Sequence, residues 1–331
     1  MNLTTSKKVN GSKIKGLLLL VLILFCLTLP LLAAPYYVYL ATSILITALF
    51  AGSLNLVLGY GGLMQLHHAV FYGLGAYAAA LLLTKSGLPF WGGCLLAPFV
   101  AALGALILGW FCVRLRGLYF GMLMLALGQL IWAVVYRWYD FTGGDDGIHG
   151  VPIPDWLTSV NGAYFFVFLV CGLSFLALYL IVHSPFGLIL QAIRDNATRS
   201  ESIGVNNKRH QLGALVISGF FAGVAGVLFV ILERSVSPTI LYWSKSAEIM
   251  VMCLLGGMYT FFGPLLGAVV IVLLATFFGV FTEYWLMVLG SILLAVVLFL
   301  PQGILGFLAE MWSKGRNKGG GEANASGSIH R

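Results

Sequence analysis

The sequence predicts an all-α polytopic membrane protein with about ten transmembrane helices. Three observations lead there. The 331 residues are 60% hydrophobic and only 9% charged, with a mean hydropathy of +0.99, a balance that no water-soluble domain tolerates. The apolar residues come in long unbroken runs, not in the alternation that a transmembrane β-barrel needs. Most of those runs approach the roughly 20 residues that cross a bilayer as a helix.

Residues 1–15 are polar, carry Lys7, Lys8, Lys13 and Lys15, and read as a cytoplasmic N-terminal segment. The run 16–34 follows and ends in Leu32, Ala33 and Ala34. A secretory signal has the same outline, but this run is long and further spans follow at once. Those further runs are 36–58, 63–83, 91–112, 117–136, 163–183, 212–232, 246–258, 262–281 and 285–301. The run 246–258 is short enough to be re-entrant. Residues 16–312 together form the predicted transmembrane domain. The tail 313–331, rich in Gly, Ser, Asn and Lys, cannot bury an apolar face and is expected to be disordered.

The net charge of +7 does not point to nucleic acid, because the charges sit between apolar runs, where they set topology. Ten spans with the N-terminus inside put Lys7, Lys8, Lys13, Lys15, Arg114, Arg116, Arg194, Arg199, Lys208, Arg209, Lys314, Arg316, Lys318 and Arg331 on the cytoplasmic side. That is 14 of the 18 basic residues, leaving Lys85, Arg137, Arg234 and Lys245 outside. Dropping 246–258 as a span would send the basic tail outside, so the charge pattern supports counting it.

Between two of the predicted spans lies Ser184–Gln211, reading SPFGLILQAIRDNATRSESIGVNNKRHQ. Ser184 then Pro185 is a helix-start signature, with a hydroxyl to cap free N–H groups. Phe186, Ile189, Leu190, Ile193 and Ala197 follow at helical spacing on one stripe, with Gln191, Arg194, Asp195 and Arg199 off it. Asp195 and Arg199, acid first and four apart, suit a helical ion pair. Gly204 is a stop, being tolerant of left-handed backbone. The pattern predicts one amphipathic helix from Pro185 to Ile203, held outside the bilayer. Such a helix either lies on headgroups or docks into a groove on a soluble partner.

The loop 137–162 on the opposite side contains FTGGDDGIHGVPIPDW, punctuated into turns by Gly and Pro. Asp145 and Asp146 lack the oxygen-ligand spacing of a calcium loop, and no metal site is expected. Cys26, Cys94, Cys112, Cys171 and Cys253 fall in apolar runs without paired spacing and read as packing or lipid-facing residues. Gly219–Gly223 and Gly263–Gly267 read as helix-packing pairs. Tyr60–Tyr77, YGGLMQLHHAVFYGLGAY, puts Gln65, His67 and His68 in an apolar run. Polar groups there are costly unless they bond within the bundle or line a solute path. Gln65, His67, His68 and the neighbouring Tyr72 are the path candidates.

No phosphate-binding GxxxxGK[ST], HExxH, CxxC or GxSxG motif occurs, so no enzyme chemistry and no cofactor is expected. A regular Arg or Lys series of the voltage-sensor kind is missing, and intramembrane carboxylates are few. Energy for transport would then come from another subunit, delivered at the cytoplasmic helix. The competing reading is a self-contained channel or facilitator for a small polar solute.

One set of segments is specific. LRG at Leu115–Gly117, TGGDDGI at Thr142–Ile148, AIRDNATRSESIGVN at Ala192–Asn206, SGFFAGVAGVLF at Ser218–Phe229, LLGGMYTFFGPLLGA at Leu254–Ala268 and PQGILG at Pro301–Gly306 together resemble the branched-chain amino acid ABC transporter permease family, LivM type. The resemblance runs from about residue 40 to 310. It implies a type II ABC importer-like permease in a bacterial inner membrane, multi-pass and surrounded by lipid. The implied partners are a second homologous permease of LivH type, two ATPase subunits and a periplasmic substrate-binding protein that carries most of the specificity. The segment containing Ile193, Arg194, Asp195, Arg199, Glu201 and Gly204 would be the coupling segment touching an ATPase. Leu63, Gln65 and His67 depart from the family pattern, which commonly has Gln, Ser and Gly there, and Tyr259 stands where Gly is usual. Similar systems carry urea, short amides or aromatic acids, so these departures leave the solute open.

Overall fold

The computed structural model describes residues 28–30, 32–281 and the isolated positions 287, 290, 291, 303, 304 and 306. The predicted segment 1–15, most of the run 16–34, nearly all of 285–301 and the tail 313–331 lie outside the described residues.

Helix α1 spans Pro35–Asn55 and continues through one π-turn at Leu56–Tyr60. Its first position is a proline, whose missing N–H costs nothing there. Helices α2 (Ala69–Thr84), α3 (Phe90–Cys112), α4 (Leu118–Arg137) and α5 (Val160–Val182) follow. The polar loop folds as α6 (Pro185–Asp195) and α7 (Ala197–Ser202). Then come α8 (Asn207–Glu233), α9 (Trp243–Gly256) and α10 (Gly263–Phe281). Five of these stretches are long and apolar enough to cross a membrane: α1 with its π-turn, α3, α4, α5 and α8.

Two sequence expectations change. The run 63–83 is helical only from Ala69, and Gly61–His68 is irregular backbone. Periodicity reports apolar spacing, not where backbone groups find partners. Here the first N–H of α2, on Ala69, donates to Ser246 Oγ on α9 at 2.8 Å. The predicted single helix 185–203 is two helices, because Asn196 adopts extended backbone (φ −158°, ψ 97°) and its side chain accepts from the Arg199 N–H at 2.9 Å. Asparagine is among the best residues at a helix start, and here it starts a new helix within the loop.

Small residues set the packing. Helix α8 nests between α2 and α3 and also packs on α1, while α1 touches α5, α9 and α10. Gly219 and Gly223 lie on Ala105, Ala101 and Pro98 of α3, and Gly75 of α2 meets the Gly223 backbone. A Cβ on Gly226 would sit 2.1 Å from the Tyr72 carbonyl oxygen. A Cβ on Gly267 would sit 1.9 Å from the carbonyl oxygen of Met252 on α9. The two GxxxG pairs thus act as close-approach surfaces, as their spacing predicts. Cys94, Cys112, Cys171 and Cys253 are free thiols, the last three buried. The Cys253 thiol donates to the Ala51 carbonyl of α1 at 3.2 Å.

At the end away from α6, the loop after α4 is an ordered structure. Its strand β1 (Ile148–His149) pairs antiparallel with β2 (Ser235–Val236), just after α8. Lys85 Nζ donates to the carbonyls of Asp140 at 2.6 Å and Phe141 at 3.0 Å. The Tyr139 hydroxyl donates to Asp145, and that bond pushes the hydroxyl up to about 12. Asp145 is therefore part of the loop's own scaffold.

The packing makes a paired test. Gly226→Leu forces a side chain into the α2 backbone, an overpacking that costs about 1–3 kcal/mol or more. Gly172 has nothing within 4 Å of its would-be Cβ. Thermal unfolding in detergent should show a clearly lowered midpoint for Gly226→Leu and a wild-type midpoint for Gly172→Leu. Equal midpoints would contradict this packing.

Candidate functional site

The polar loop has two faces. Leu190 and Ile193 are buried, and Phe186, Ile189 and Ala197 are half-buried, so the apolar stripe predicted from spacing packs on the protein's own spans. Leu188, Ala192, Asp195, Thr198, Arg199 and Ser202 face outward, and Ile203 is 75% exposed. Ser184 does not cap the helix as expected; its hydroxyl donates to the Ile181 carbonyl at 2.6 Å, closing the end of α5. Gly204 takes φ +89°, the left-handed stop its position predicts.

The charged residues of the loop divide in the same way. Arg194 turns inward, with its side chain 24% exposed. Its Nη1 donates to the Gly59 carbonyl, inside the π-turn of α1, at 2.8 Å. Its guanidinium carbon lies 5.1 Å from the Tyr259 ring centre, a cation–π contact. Its Nε and Nη2 hold Asp195 at 3.0 and 2.9 Å. The expected Asp195–Arg199 pair is not formed, because the helix breaks between the two. Glu201 accepts from Arg116 at 2.8 Å, tying α7 to the α3–α4 turn, and from Asn207 at 3.2 Å. Arg199 is exposed.

Gly59 is where the loop meets the membrane core. A Cβ there would lie 2.0 Å from the Met258 carbonyl oxygen and 2.4 Å from Asn55 Oδ1. Asn55 Nδ2 donates to the Thr260 carbonyl at 3.2 Å. The π-turn, Arg194 and the α9–α10 turn are thus one contact unit. A π-turn leaves its carbonyls offset from the regular ladder, which is why such turns recur at functional sites. From this unit the irregular stretch Gly61–His68 runs into the core. Gly62 takes φ +65° with the Arg194 side chain against it. Gln65, His67 and His68 are all at most 1% exposed.

The four path candidates fall into two groups. His68 stacks on Phe50 at 5.5 Å, and Phe50 stacks on Tyr72 at 4.3 Å, with Phe229 beyond. The Ser53 hydroxyl donates to the Phe50 carbonyl and the Ser218 hydroxyl to the Ser53 carbonyl. Both hydroxyl protons are thereby used, so His68 Nε2 is the donor in its 2.9 Å contact with Ser53 Oγ. In the neutral ring that leaves Nδ1 as a buried lone pair, with no partner among the described residues. His67 lies apart, its ring against Gly128 of α4, where a Cβ would come within 2.5 Å. Both His67 nitrogens, both Gln65 amide atoms and Gln129 Oε1 are buried without a well-aligned hydrogen-bond partner among the described residues, although the Gln129 side chain lies beside His67. Each orphaned group costs about 1–3 kcal/mol. Sequence reading missed Ser53, Ser218, Ser246 and Gln129. Ser53, Ser218 and Gln129 are polar residues inside apolar runs, the same signal that marked His67, whereas Ser246 opens the run 246–258 beside Lys245.

The chain matches the family model described as "Branched-chain amino acid transport system / permease component" over residues 36–297. It is 30% identical over 325 residues to the high-affinity branched-chain amino acid transport system permease protein LivM of Salmonella typhimurium, a match covering 90% of this chain and 76% of the relative. The Escherichia coli protein of the same name matches with the same identity and coverage. A probable branched-chain amino acid transport permease protein LivH of Methanocaldococcus jannaschii is 29% identical over 163 residues, 45% of this chain and 50% of that protein. No solved structure matches the chain. The family match spans most of the helices described above, and the protein belongs to the branched-chain amino acid transport permease family.

Proposed function

We propose that this chain is the permease subunit of an ATP-driven importer of branched-chain amino acids or a related small solute, in a bacterial inner membrane with both termini cytoplasmic. Its partners in this reading are a second, homologous permease, two ATPase subunits and a periplasmic binding protein. The similarity to both LivM-type and LivH-type permeases supports the pairing of two related permeases. The clustering of basic residues at the end that holds α6 and α7 supports the orientation.

One observation carries the mechanism: the 2.8 Å hydrogen bond from Arg194 to Gly59. The outward face of α6 and α7, with Leu188, Ala192, Asp195, Arg199 and Ile203, docks in a groove of an ATPase. Nucleotide-driven closure of the ATPases shifts that face. The buried stripe and Arg194 pass the shift to the π-turn and the α9–α10 turn. The stretch Gly61–His68 follows, changing access to Gln65 and His67. Their unpartnered polar atoms then bond a passing solute, which repays part of their burial cost.

Three outcomes test this. In proteoliposomes holding all subunits, uptake should need ATP and the binding protein; flux through the chain alone, without ATP, would establish a facilitator instead. Cysteines placed at Leu188, Ala192 or Ile203 should cross-link to the ATPase, and those at Leu190 or Ile193 should not. The reverse pattern would mean the loop docks by another face. Gln65→Leu and His67→Leu remove orphaned polar atoms, so stability should hold or rise. Uptake should fall about tenfold or more, the loss expected for about 1.4 kcal/mol of solute hydrogen bonding. Wild-type uptake in both variants would make these residues packing groups.

A further inference from the structure

We propose that the recess between the end of α3 and the start of α8 binds the phosphate headgroup of an anionic phospholipid. The recess has a volume of about 460 Å³, and its lining includes Trp110, Arg114, Asn206, Lys208, Arg209 and Leu212. That volume falls in the range of small-ligand sites. Three basic residues line it. The ion pairs among the described residues join Arg116 to Glu201, Arg194 to Asp195 and Lys245 to Glu248, and none of them takes Arg114, Lys208 or Arg209. Glu201, the acid on the adjoining loop, is held by Arg116 and Asn207. Gathering three like charges without a counterion is unfavourable, and a phosphate monoanion relieves it.

The surroundings select a lipid over a soluble anion. Arg114 lies over the Trp110 ring, 5.5 Å from its centre, and Trp110 is 55% exposed. Tryptophan paired with a basic residue at a span's end is the usual anchor at the headgroup level. From Trp110 an exposed apolar stripe runs along α3 through Leu106, Leu103 and Phe99. These residues are three or four apart and share one helix face. Headgroup recess and acyl-chain stripe are therefore continuous. A soluble ATPase can reach the cations but not a stripe that descends into the span. The leaflet is the cytoplasmic one if the orientation in the proposed function holds, and that is where anionic lipids attract basic clusters.

Native mass spectrometry of the purified full chain, titrated with phosphatidylglycerol or phosphatidylcholine, tests this. Phosphatidylglycerol should bind more tightly, and the preference should shrink in about 0.5 M salt as screening predicts. Each cation near a headgroup contributes roughly fivefold, so R114Q/K208Q/R209Q should weaken phosphatidylglycerol about a hundredfold. Phosphatidylcholine, whose choline offsets its phosphate charge, should lose far less, and R114K/K208R/R209K should restore the preference. Equal binding of the two lipids by the wild type overturns the site, whether or not the triple variant can be purified. So does unchanged phosphatidylglycerol binding in the glutamine variant. Inorganic phosphate binding without competition from phosphatidylglycerol would show a free-anion site and also overturn it. Loss of ATPase-subunit association with lipid binding intact would assign the cations to that partner. None of these outcomes depends on transport, so the proposal and the importer reading fail separately.

Discussion

Irregular backbone inside a membrane protein must find its hydrogen bonds within the protein. The stretch Gly61–His68 meets part of that demand on α1, where the Gly61 N–H donates to Leu56 and the Leu63 N–H to Val57, and Arg194 fastens its entrance. The guanidinium reaches Gly59 in the π-turn, stacks by Tyr259, and holds Asp195 on its own helix. The Arg194–Asp195 pair, whose carboxylate is largely in solvent, contributes little by itself. The bond to Gly59 differs, because an arginine with a mostly covered side chain donates to a carbonyl that the π-turn displaces from the helix ladder. It makes the polar loop and the buried polar stretch parts of one body.

The same contact explains the glycines around it. Gly59 admits the Met258 carbonyl, and Gly62 admits the Arg194 side chain with positive φ. Further along, the close nesting of α8 on α2 and α3 leaves Gly226 against the Tyr72 carbonyl. Rigid packing of α2, α3 and α8 provides a frame. In the proposed coupling, the π-turn, the Gly61–His68 stretch and the α9–α10 turn shift together against that frame when the loop is pushed.

Much of this was legible from residue order. The five long apolar helices follow from unbroken apolar runs, the amphipathic loop from the spacing of Phe186, Ile189, Leu190 and Ile193, and its stop from Gly204. Polar residues in an apolar run marked Gln65, His67 and His68. What escaped the sequence depends on partners far along the chain. The start of α2 at Ala69 is capped by Ser246, 177 positions away. The break at Asn196 follows from its side chain capping α7 instead of Asp195 pairing with Arg199. Arg194 reads from sequence as a residue offered to a partner, because it lies off the apolar stripe. Its length lets it fold back to Gly59, 135 positions earlier, and no local pattern encodes that. The separation of His67 from His68, one facing α4 and the other an aromatic column, likewise depends on which helices close around an irregular segment.

In the proposed coupling, Arg194 transmits motion from the loop to the core. The most direct measurement is the ratio of ATP hydrolysed to solute imported in reconstituted complexes carrying Arg194→Gln. Glutamine keeps the loop's fold and apolar stripe but cannot span to both Gly59 and Tyr259. Hydrolysis should persist while uptake falls, so the ratio should rise severalfold over wild type. An unchanged ratio, with both activities intact, would show that coupling runs by another route.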